Sequence, residues 1–198
     1  MTDALHRPGL DDLYASPPPW DIDRPQPAFA ALAAAGDIRG RVLDVGCGTG
    51  EHALLAGGLG LPATGIDLAE SALRTARGKA RDRGLRARFL LHDARQVADL
   101  GETFDTVLDC GLFHVFTGAD RAAFAGGLRS AVEPGGRYFM LGFSDRQSGY
   151  RGPHRLTRGE IVAAFTGGWR IDSLAAATIE VTTAAAGIPA WLLALTRI

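Results

Sequence analysis

Two alternating patterns of apolar and polar positions run along most of this chain. Short apolar runs rich in β-branched residues predict strands, and longer stretches with an apolar residue every three or four positions predict helices. The predicted strands are residues 41–46, 63–67, 87–92, 105–110 and 137–143, and the predicted helices are residues 28–36, 50–58, 69–83 and 119–132. Strands that alternate with helices are typical of an α/β protein with a parallel sheet covered on both faces.

The two ends of the chain depart from this alternation. Residues 169–181 and 189–197 are long apolar runs separated at Ala186-Gly187, which predicts a terminal hairpin. At the other end, residues 1–27 hold Tyr14 and Trp20 among several prolines, which prevent a regular helix. We expect this segment to be an ordered arm or lid, with a disordered tail as the alternative. Residues 28–198 then form one domain.

The centre of the pattern is a strand that breaks into three alternating glycines, Arg41-Val-Leu-Asp-Val-Gly-Cys-Gly-Thr-Gly-Glu51. Glycine permits a sharp backbone turn and leaves no Cβ in the way of a ligand. In open α/β sheets, such a turn at the end of a parallel strand holds nucleotide-like cofactors. Asp67 closes the next predicted strand, where a carboxylate can accept both hydroxyls of a ribose.

The glycine turn resembles motif I of the class I S-adenosylmethionine-dependent methyltransferases. Within that family, Pro19-Trp-Asp-Ile-Asp-Arg-Pro-Gln-Pro27 and Phe104-Asp-Thr-Val-Leu-Asp-Cys-Gly-Leu-Phe-His-Val115 are similar to small thiol, thiopurine and halide methyltransferases and to related actinobacterial small-molecule enzymes. The resemblance implies a Rossmann-like, mostly parallel sheet of seven strands, with helices on both faces and a C-terminal antiparallel hairpin. No particular thiopurine-site residue matches, so a thiol substrate does not follow.

The resemblance also implies a cofactor site for S-adenosylmethionine, with S-adenosylhomocysteine as product. Asp93 would accept from the adenine amine, Asp109 would face the methionine ammonium, and Asp44 would steady the turn or that same ammonium. Taken singly, each of these carboxylates is typical of a strand-end cap or a solvated charge. The expected cofactor-binding residues are Trp20, Asp44, Gly46, Cys47, Gly48, Thr49, Gly50, Asp67, Leu68, Asp93, Ala94, Asp109 and Cys110.

The reaction implied is in-line displacement at the sulfonium methyl by O, S or N of a small, aromatic or heterocyclic acceptor. His114 is the candidate catalytic base, because imidazole titrates near neutral pH; the alternative is a packing or cofactor-contacting role. The expected substrate-binding residues are Tyr14, Trp20, Phe113, His114, Phe116, Phe143 and Arg146. Arg151, His154 and Arg155 join Arg146 as partners for an anionic substituent, or else form a solvated loop.

Composition narrows the classes of partner. The 21 basic and 22 acidic side chains give a formal net charge of −1, which offers no broad attraction to nucleic acid or anionic membranes. No apolar run approaches the roughly 18 residues of a membrane span, and the N-terminus lacks the order of a signal peptide, so we expect a cytoplasmic protein. Cys47 and Cys110 predict reduced thiols, and no metal-ligand set is predicted. The sequence does not predict the oligomeric state.

Two other functions compete with a methyltransferase. A nicotinamide-dependent oxidoreductase would need the Gly-x-Gly-x-x-Gly turn for a pyrophosphate, but here the third glycine comes one position early and Glu51 takes its place. The other alternative is a noncatalytic module that binds S-adenosylmethionine for regulation. Such a module would need no acceptor pocket, and the aromatic arm with Phe113 and His114 argues against it.

Overall fold

One mixed sheet of seven strands forms the centre of the molecule, as a computed structural model describes it for residues 9–147 and 154–198. The strands are β1 (Val42–Val45), β2 (Ala63–Asp67), β3 (Arg88–Leu91), β4 (Phe104–Cys110), β5 (Val132–Phe143), β6 (Trp169–Val181) and β7 (Ala184–Arg197). Their order across the sheet is β3-β2-β1-β4-β5-β7-β6. Strands β1 to β5 are parallel, whereas β7 runs antiparallel to both β5 and β6. The predicted fold and terminal hairpin are confirmed.

Helices cover both faces of this sheet. They are α1 (Pro27–Ala34), α2 (Glu51–Gly58), α3 (Glu70–Asp82), α4 (Gly118–Ala131) and α5 (Arg158–Ala164), with 3₁₀ turns at Asp11–Tyr14, Ala94–Leu100 and Phe113–Val115. Successive residues of a strand point to opposite faces. In β5, Tyr138 and Met140 therefore join the core under α4 and α5, while Phe139 and Leu141 join the core under α1, α2 and α3.

Three elements differ from the sequence prediction. The hairpin turns at residues 182–183, not at Ala186-Gly187, and Gly187 lies inside β7. A Cβ there would lie 2.4 Å from Thr178 Cγ2, so this glycine permits close strand packing and does not mark a turn. Strand β5 begins at Val132, earlier than predicted, and α5 was not predicted. Its Thr157–Glu160 capping box is a recognisable start for a short helix.

Candidate active site

The glycine-rich turn joins β1 to α2 through three left-handed glycines. The φ angles are +63° at Gly46, +51° at Gly48 and +87° at Gly50, a region that side chains with a Cβ rarely adopt. At Gly50 a Cβ would also lie 2.7 Å from the Phe89 ring and 2.8 Å from Ala76 Cβ. The alternating glycines are therefore required by the backbone path of the turn.

Asp67, at the end of β2, fastens this turn to the neighbouring strand. Its Oδ2 accepts a hydrogen bond from the Gly48 amide at 2.8 Å, and its Oδ1 accepts one from the Ala69 amide at 2.9 Å. Burial raises the pKa of the carboxyl, while the backbone donors oppose that rise. A carboxylate has about four acceptor positions, so Asp67 can hold the turn and also accept from ligand hydroxyls. Leu68 follows it, half-buried at the same edge.

Asp44, in the middle of β1, has one oxygen that the described protein atoms do not satisfy. Oδ2 accepts from the Ala53 amide at 3.0 Å, but the buried Oδ1 has no hydrogen-bond partner among the described residues. Burial, followed by smaller effects from Asp67 and Asp109, raises the pKa of this carboxyl well above its ordinary value. A buried acceptor without a donor is costly. The residues present therefore fit a cationic ligand group such as the ammonium of S-adenosylmethionine.

The Asp109 carboxylate instead holds the turn after β4. Oδ1 accepts from the Leu112 amide at 2.9 Å, and Oδ2 accepts from the Phe113 amide at 3.1 Å and the Tyr138 hydroxyl at 2.8 Å. Burial raises its pKa to about 6. These contacts hold the Asp109 side chain inside the protein, and its predicted contact with an ammonium stays a prediction.

Asp93 lies at the predicted adenine position after β3, buried and paired with Arg95. Its Oδ1 accepts from the Arg95 amide at 3.0 Å, and the Arg95 guanidinium also donates to both oxygens. Arg95 reaches Asp120 at 3.1 Å on its other side. Ala94, between the two, is buried. The contacts with Arg95 fix the orientation of the Asp93 carboxylate at this edge of the sheet.

Two of the predicted substrate-binding aromatic residues belong wholly or partly to the core. Phe113 is fully buried, and its ring centroid lies 5.3 Å from that of Phe165 and 6.3 Å from that of Phe124. Its ring therefore packs in the core, and its predicted role in binding substrate stays a prediction. Phe116 is half-buried, with its ring 5.2 Å from Phe124.

His114 and Phe143 form a stacked pair at the ends of β4 and β5. Their ring centroids are 4.4 Å apart with an interplanar angle of 16°. The Phe143 amide donates to His114 Nδ1 at 3.1 Å. Burial, followed by the charges of Arg155 and His154, lowers the pKa of His114 to about 4. His114 is therefore neutral near pH 7, with one ring nitrogen committed to the backbone.

The segment before α1 lies against the glycine turn. The Tyr14 hydroxyl is 2.9 Å from where a Gly48 Cβ would be, and burial and the charge of Asp67 raise its pKa. The Trp20 ring meets Tyr14 edge-on at 6.4 Å and is 48% exposed. The Gln26 side chain accepts from the Glu180 amide at 2.8 Å and donates to its carbonyl at 3.0 Å. Tyr14 therefore lies beside the glycine turn, and its predicted role in binding substrate stays a prediction.

An ionic network that the sequence analysis missed joins this arm, the turn and α3. Lys79 Nζ lies 2.7 Å from Glu51 Oε1 and 3.0 Å from Asp23 Oδ1, and Arg83 lies 2.8 Å from the other Glu51 oxygen. Thr49, in the turn, donates to Asp21 at 2.9 Å. Because Glu51 is neutralised by two cations, its charge is a weaker argument against a pyrophosphate than the sequence indicated. Sequence spacing alone could not have paired residues so far apart.

The remaining predicted side chains lie around this edge. Cys47 is buried, Cys110 is half-buried, and both are free thiols. The Arg146 guanidinium lies 5.6 Å from the Trp191 ring, and Arg155 lies 5.4 Å from the Phe143 ring. Arg151 falls outside the described residues. Across residues 9–147 and 154–198, no helix is long and apolar enough to cross a bilayer, and no group of three or more His, Cys, Asp or Glu side chains is placed to hold a metal.

Proteins with sequences similar to this chain include several methyltransferases. A family model for the methyltransferase domain matches residues 42–136. The 2-heptyl-1-hydroxyquinolin-4(1H)-one methyltransferase of Mycobacteroides abscessus is 30% identical over 182 residues, covering 90% of this chain and 80% of the relative. A structure solved for the conversion of a disulfide bond into a thioacetal group during echinomycin biosynthesis has a TM-score of 0.84 and 38% identity, covering 92% of this chain and 86% of that one. Magnesium protoporphyrin IX methyltransferase from Synechocystis PCC 6803 shares the fold, with a TM-score of 0.67 and 22% identity over 86% of this chain and 76% of that one.

Proposed function

We propose, from the premise that this chain belongs to the class I S-adenosylmethionine-dependent methyltransferases, that its methyl acceptor is a hydroxyl oxygen of a small aromatic or heterocyclic molecule. The chain is an enzyme that methylates small molecules, and S-adenosylmethionine is its methyl donor. Membership of this family argues against the two other functions, a nicotinamide-dependent oxidoreductase and a noncatalytic module that binds S-adenosylmethionine. The acceptor and the residue roles below are proposals.

The observation that carries the proposal is the stacked His114–Phe143 pair. It lies at the ends of β4 and β5, and β4 is the neighbour of β1, from which the glycine turn emerges. A flat aromatic surface favours a planar guest. The relative that methylates a hydroxyquinolone, similar over 90% of this chain, supports a heterocyclic hydroxyl as the acceptor group.

For the cofactor, we propose that the adenosyl and methionine parts are held by carboxylates from three neighbouring strands. Asp67 would accept from the ribose hydroxyls, Asp93 from the adenine amine, and Asp44 Oδ1 from the ammonium. The unpartnered Oδ1 of Asp44 supports the last assignment. The arm would act as a lid, because Tyr14 lies beside the glycine turn and Trp20 meets the Tyr14 ring edge-on.

When bound, S-adenosylmethionine supplies a methyl group on a positively charged sulfur, which is already a good leaving group. The residues then mainly have to align the acceptor with that methyl and exclude water. Such positioning can contribute roughly 7–11 kcal/mol to lowering a barrier. The stacked pair, in which His114 is only 4% exposed, would orient the acceptor and exclude water on one side.

The test is to incubate the purified protein with S-adenosylmethionine and 2-heptyl-1-hydroxyquinolin-4(1H)-one, and to identify the product by mass spectrometry and NMR. The proposal predicts an O-methylated product and stoichiometric S-adenosylhomocysteine. Asp67→Asn should abolish turnover, whereas Asp99→Asn, at an exposed site beyond β3, should not. Exclusive methylation of carbon or nitrogen across a panel of hydroxylated heterocycles would overturn the oxygen assignment.

A sulfur acceptor is the second candidate, because the structure related to thioacetal formation is 38% identical to this chain. Heteroaromatic thiols assayed beside the matching hydroxyl compounds separate the two. A catalytic efficiency at least tenfold higher for the thiols would favour sulfur.

A further inference from the structure

The hydrogen bond between the Phe143 amide and His114 Nδ1, 3.1 Å long, determines which nitrogen of the ring carries a proton. A backbone amide can only donate, so Nδ1 must be the acceptor, and its lone pair is not available to a substrate. A neutral imidazole has one N–H and one lone pair. The neutral His114 ring therefore carries its proton on Nε2.

The contacts around the ring fix its plane and leave room beside Nε2. Stacking on Phe143 fixes the ring plane. On the other edge, Nε2 lies 3.9 Å from where a Cβ of Gly111 would be, and Gly111 directly follows β4. A left-handed glycine, with φ of +81°, leaves this edge of the ring without a neighbouring side chain from position 111.

Two side chains near His114 act electrostatically on its ring. Arg155 and His154, from the segment before α5, both oppose a proton on the ring, and Arg155 also lies over the Phe143 ring at 5.4 Å. Glu160 pairs with His154 at 2.6 Å, which offsets the effect of His154 and leaves that of Arg155 as the larger one. A neutral N–H donor beside a guanidinium is suited to a negatively charged oxygen or sulfur.

We infer that His114 is a hydrogen-bond donor to the methyl acceptor through Nε2, not its base, and that the substrate is an acidic hydroxyl or thiol that arrives already ionised. This inference rests on the proposed function. N-hydroxy heterocycles, electron-poor phenols and heteroaromatic thiols belong to this class, whereas aliphatic alcohols do not.

The bond changes balance without an enzymic base. The acceptor loses its proton to solvent before it binds. Its lone pair then forms the new bond to the methyl carbon, while the electron pair of the sulfur–carbon bond stays on sulfur. The anion and the sulfonium are consumed together, which gives a neutral ether or thioether and S-adenosylhomocysteine.

A donor and a base have opposite kinetic signatures. A hydrogen bond to the acceptor anion is present in the ground state and weakens as its charge disappears, so its loss should raise KM and leave kcat unchanged or higher. Loss of a base should lower kcat. Because a hydrogen bond to a charged group contributes more than a neutral one, we expect His114→Phe to raise KM roughly 10- to 100-fold. His114→Gln, which keeps a donor but offers no base, should remain within about tenfold of wild type.

The direct test is long-range ¹H–¹⁵N NMR of the five histidines, with His114 assigned by its absence from the His114→Gln spectrum. We expect the Nε2–H tautomer with no titration of this ring above about pH 5.5. An Nδ1–H tautomer, or a midpoint between pH 6 and 8, would overturn the inference. This readout needs no acceptor, so its result is separate from the success or failure of the proposed function.

The kinetic test uses hydroxylated heterocycles of different acidity. The inference predicts that the pH midpoint of kcat/KM follows the pKa of each acceptor. The opposite result is a pH midpoint of kcat/KM that is the same for all acceptors and is absent from both His114→Gln and His114→Phe. In that case, turnover in both variants would also fall by at least about two orders of magnitude. That result would identify His114 as the base.

Discussion

The Asp67 carboxylate accepts a hydrogen bond from the Gly48 amide at 2.8 Å, across the ends of two adjacent parallel strands. This bond ties a side chain of β2 to the backbone of the turn after β1. The turn and the carboxylate are therefore already oriented before a ligand binds, which lowers the entropic cost of binding.

The turn itself can be tested at Gly48. An alanine there must adopt a φ of +51°, and its Cβ would lie 2.9 Å from the Tyr14 hydroxyl. We expect Gly48→Ala to destabilise the protein by about 1–2 kcal/mol and to weaken S-adenosylmethionine binding at least tenfold, measured by chemical denaturation and calorimetry. Gly126→Ala is the matched control, because Gly126 lies inside α4 with open space around it; it should stabilise the protein by about 0.5–1 kcal/mol. Equal effects of the two substitutions would contradict the account.

Breaking the Lys79–Glu51 ion pair at α3 should destabilise the protein more than breaking the exposed Arg170–Asp172 pair. Lys79 and Glu51 are only 16% and 7% exposed, so Lys79→Met leaves a nearly buried carboxylate with Arg83 alone. We expect a loss of about 2 kcal/mol in unfolding free energy, below the roughly 3–5 kcal/mol of a wholly buried pair. Arg170→Met breaks a pair that is 64% and 21% exposed and should change stability by less than about 0.5 kcal/mol. A Lys79→Met loss no larger than the control would show that the network does not stabilise the fold.

Sequence patterns were sufficient for the parts of this fold that depend on local periodicity. The five parallel strands, the terminal hairpin and the positions of Asp67 and Asp93 at strand ends all follow from runs of apolar residues and their spacing. The hairpin turn was misplaced, because Gly187 is required by close packing against Thr178 and not by a change of direction.

The direction of side chains after a strand could not be predicted. Asp109 turns inward because the Leu112 amide and Tyr138 hydroxyl meet its oxygens, and Phe113 follows the same turn into the core. These partners lie on other elements or depend on a short 3₁₀ turn, which hydrophobic periodicity does not reveal. The sequence also did not predict that the Phe143 backbone amide donates a hydrogen bond to Nδ1 of His114, the candidate base.

Stability should depend on pH through His52, which is buried in α2 beside Phe29. Burial lowers its pKa to about 4 from 6.5. Between these values the unfolded chain binds a proton that the folded protein does not, so this contribution to stability is lost as the pH falls from about 6.5 to about 4. The shift corresponds to on the order of 3 kcal/mol. Asp109, with its pKa raised to about 6, acts in the opposite direction.

In the wild type, the Gln26 backbone amide donates a hydrogen bond to His52 Nε2 at 3.3 Å. The His52→Gln variant isolates the contribution of the titrating ring, because a glutamine side chain can also accept this hydrogen bond but does not titrate. Unfolding free energies of both proteins, measured by denaturant from pH 7 to pH 4, should show a smaller loss for the variant. Parallel curves would contradict the assignment.

The central claim is that the carboxylates around the glycine turn hold S-adenosylmethionine, and calorimetric titration of wild type and Asp67→Ala tests it most directly. We predict that wild type binds S-adenosylmethionine and S-adenosylhomocysteine but not NADH, and that Asp67→Ala loses affinity for both adenosyl ligands by about 100-fold or more, because several hydrogen bonds to one charged group disappear together. Asp99→Asn should bind as wild type does. Unchanged affinity in Asp67→Ala, with the variant folded by circular dichroism, would contradict the account.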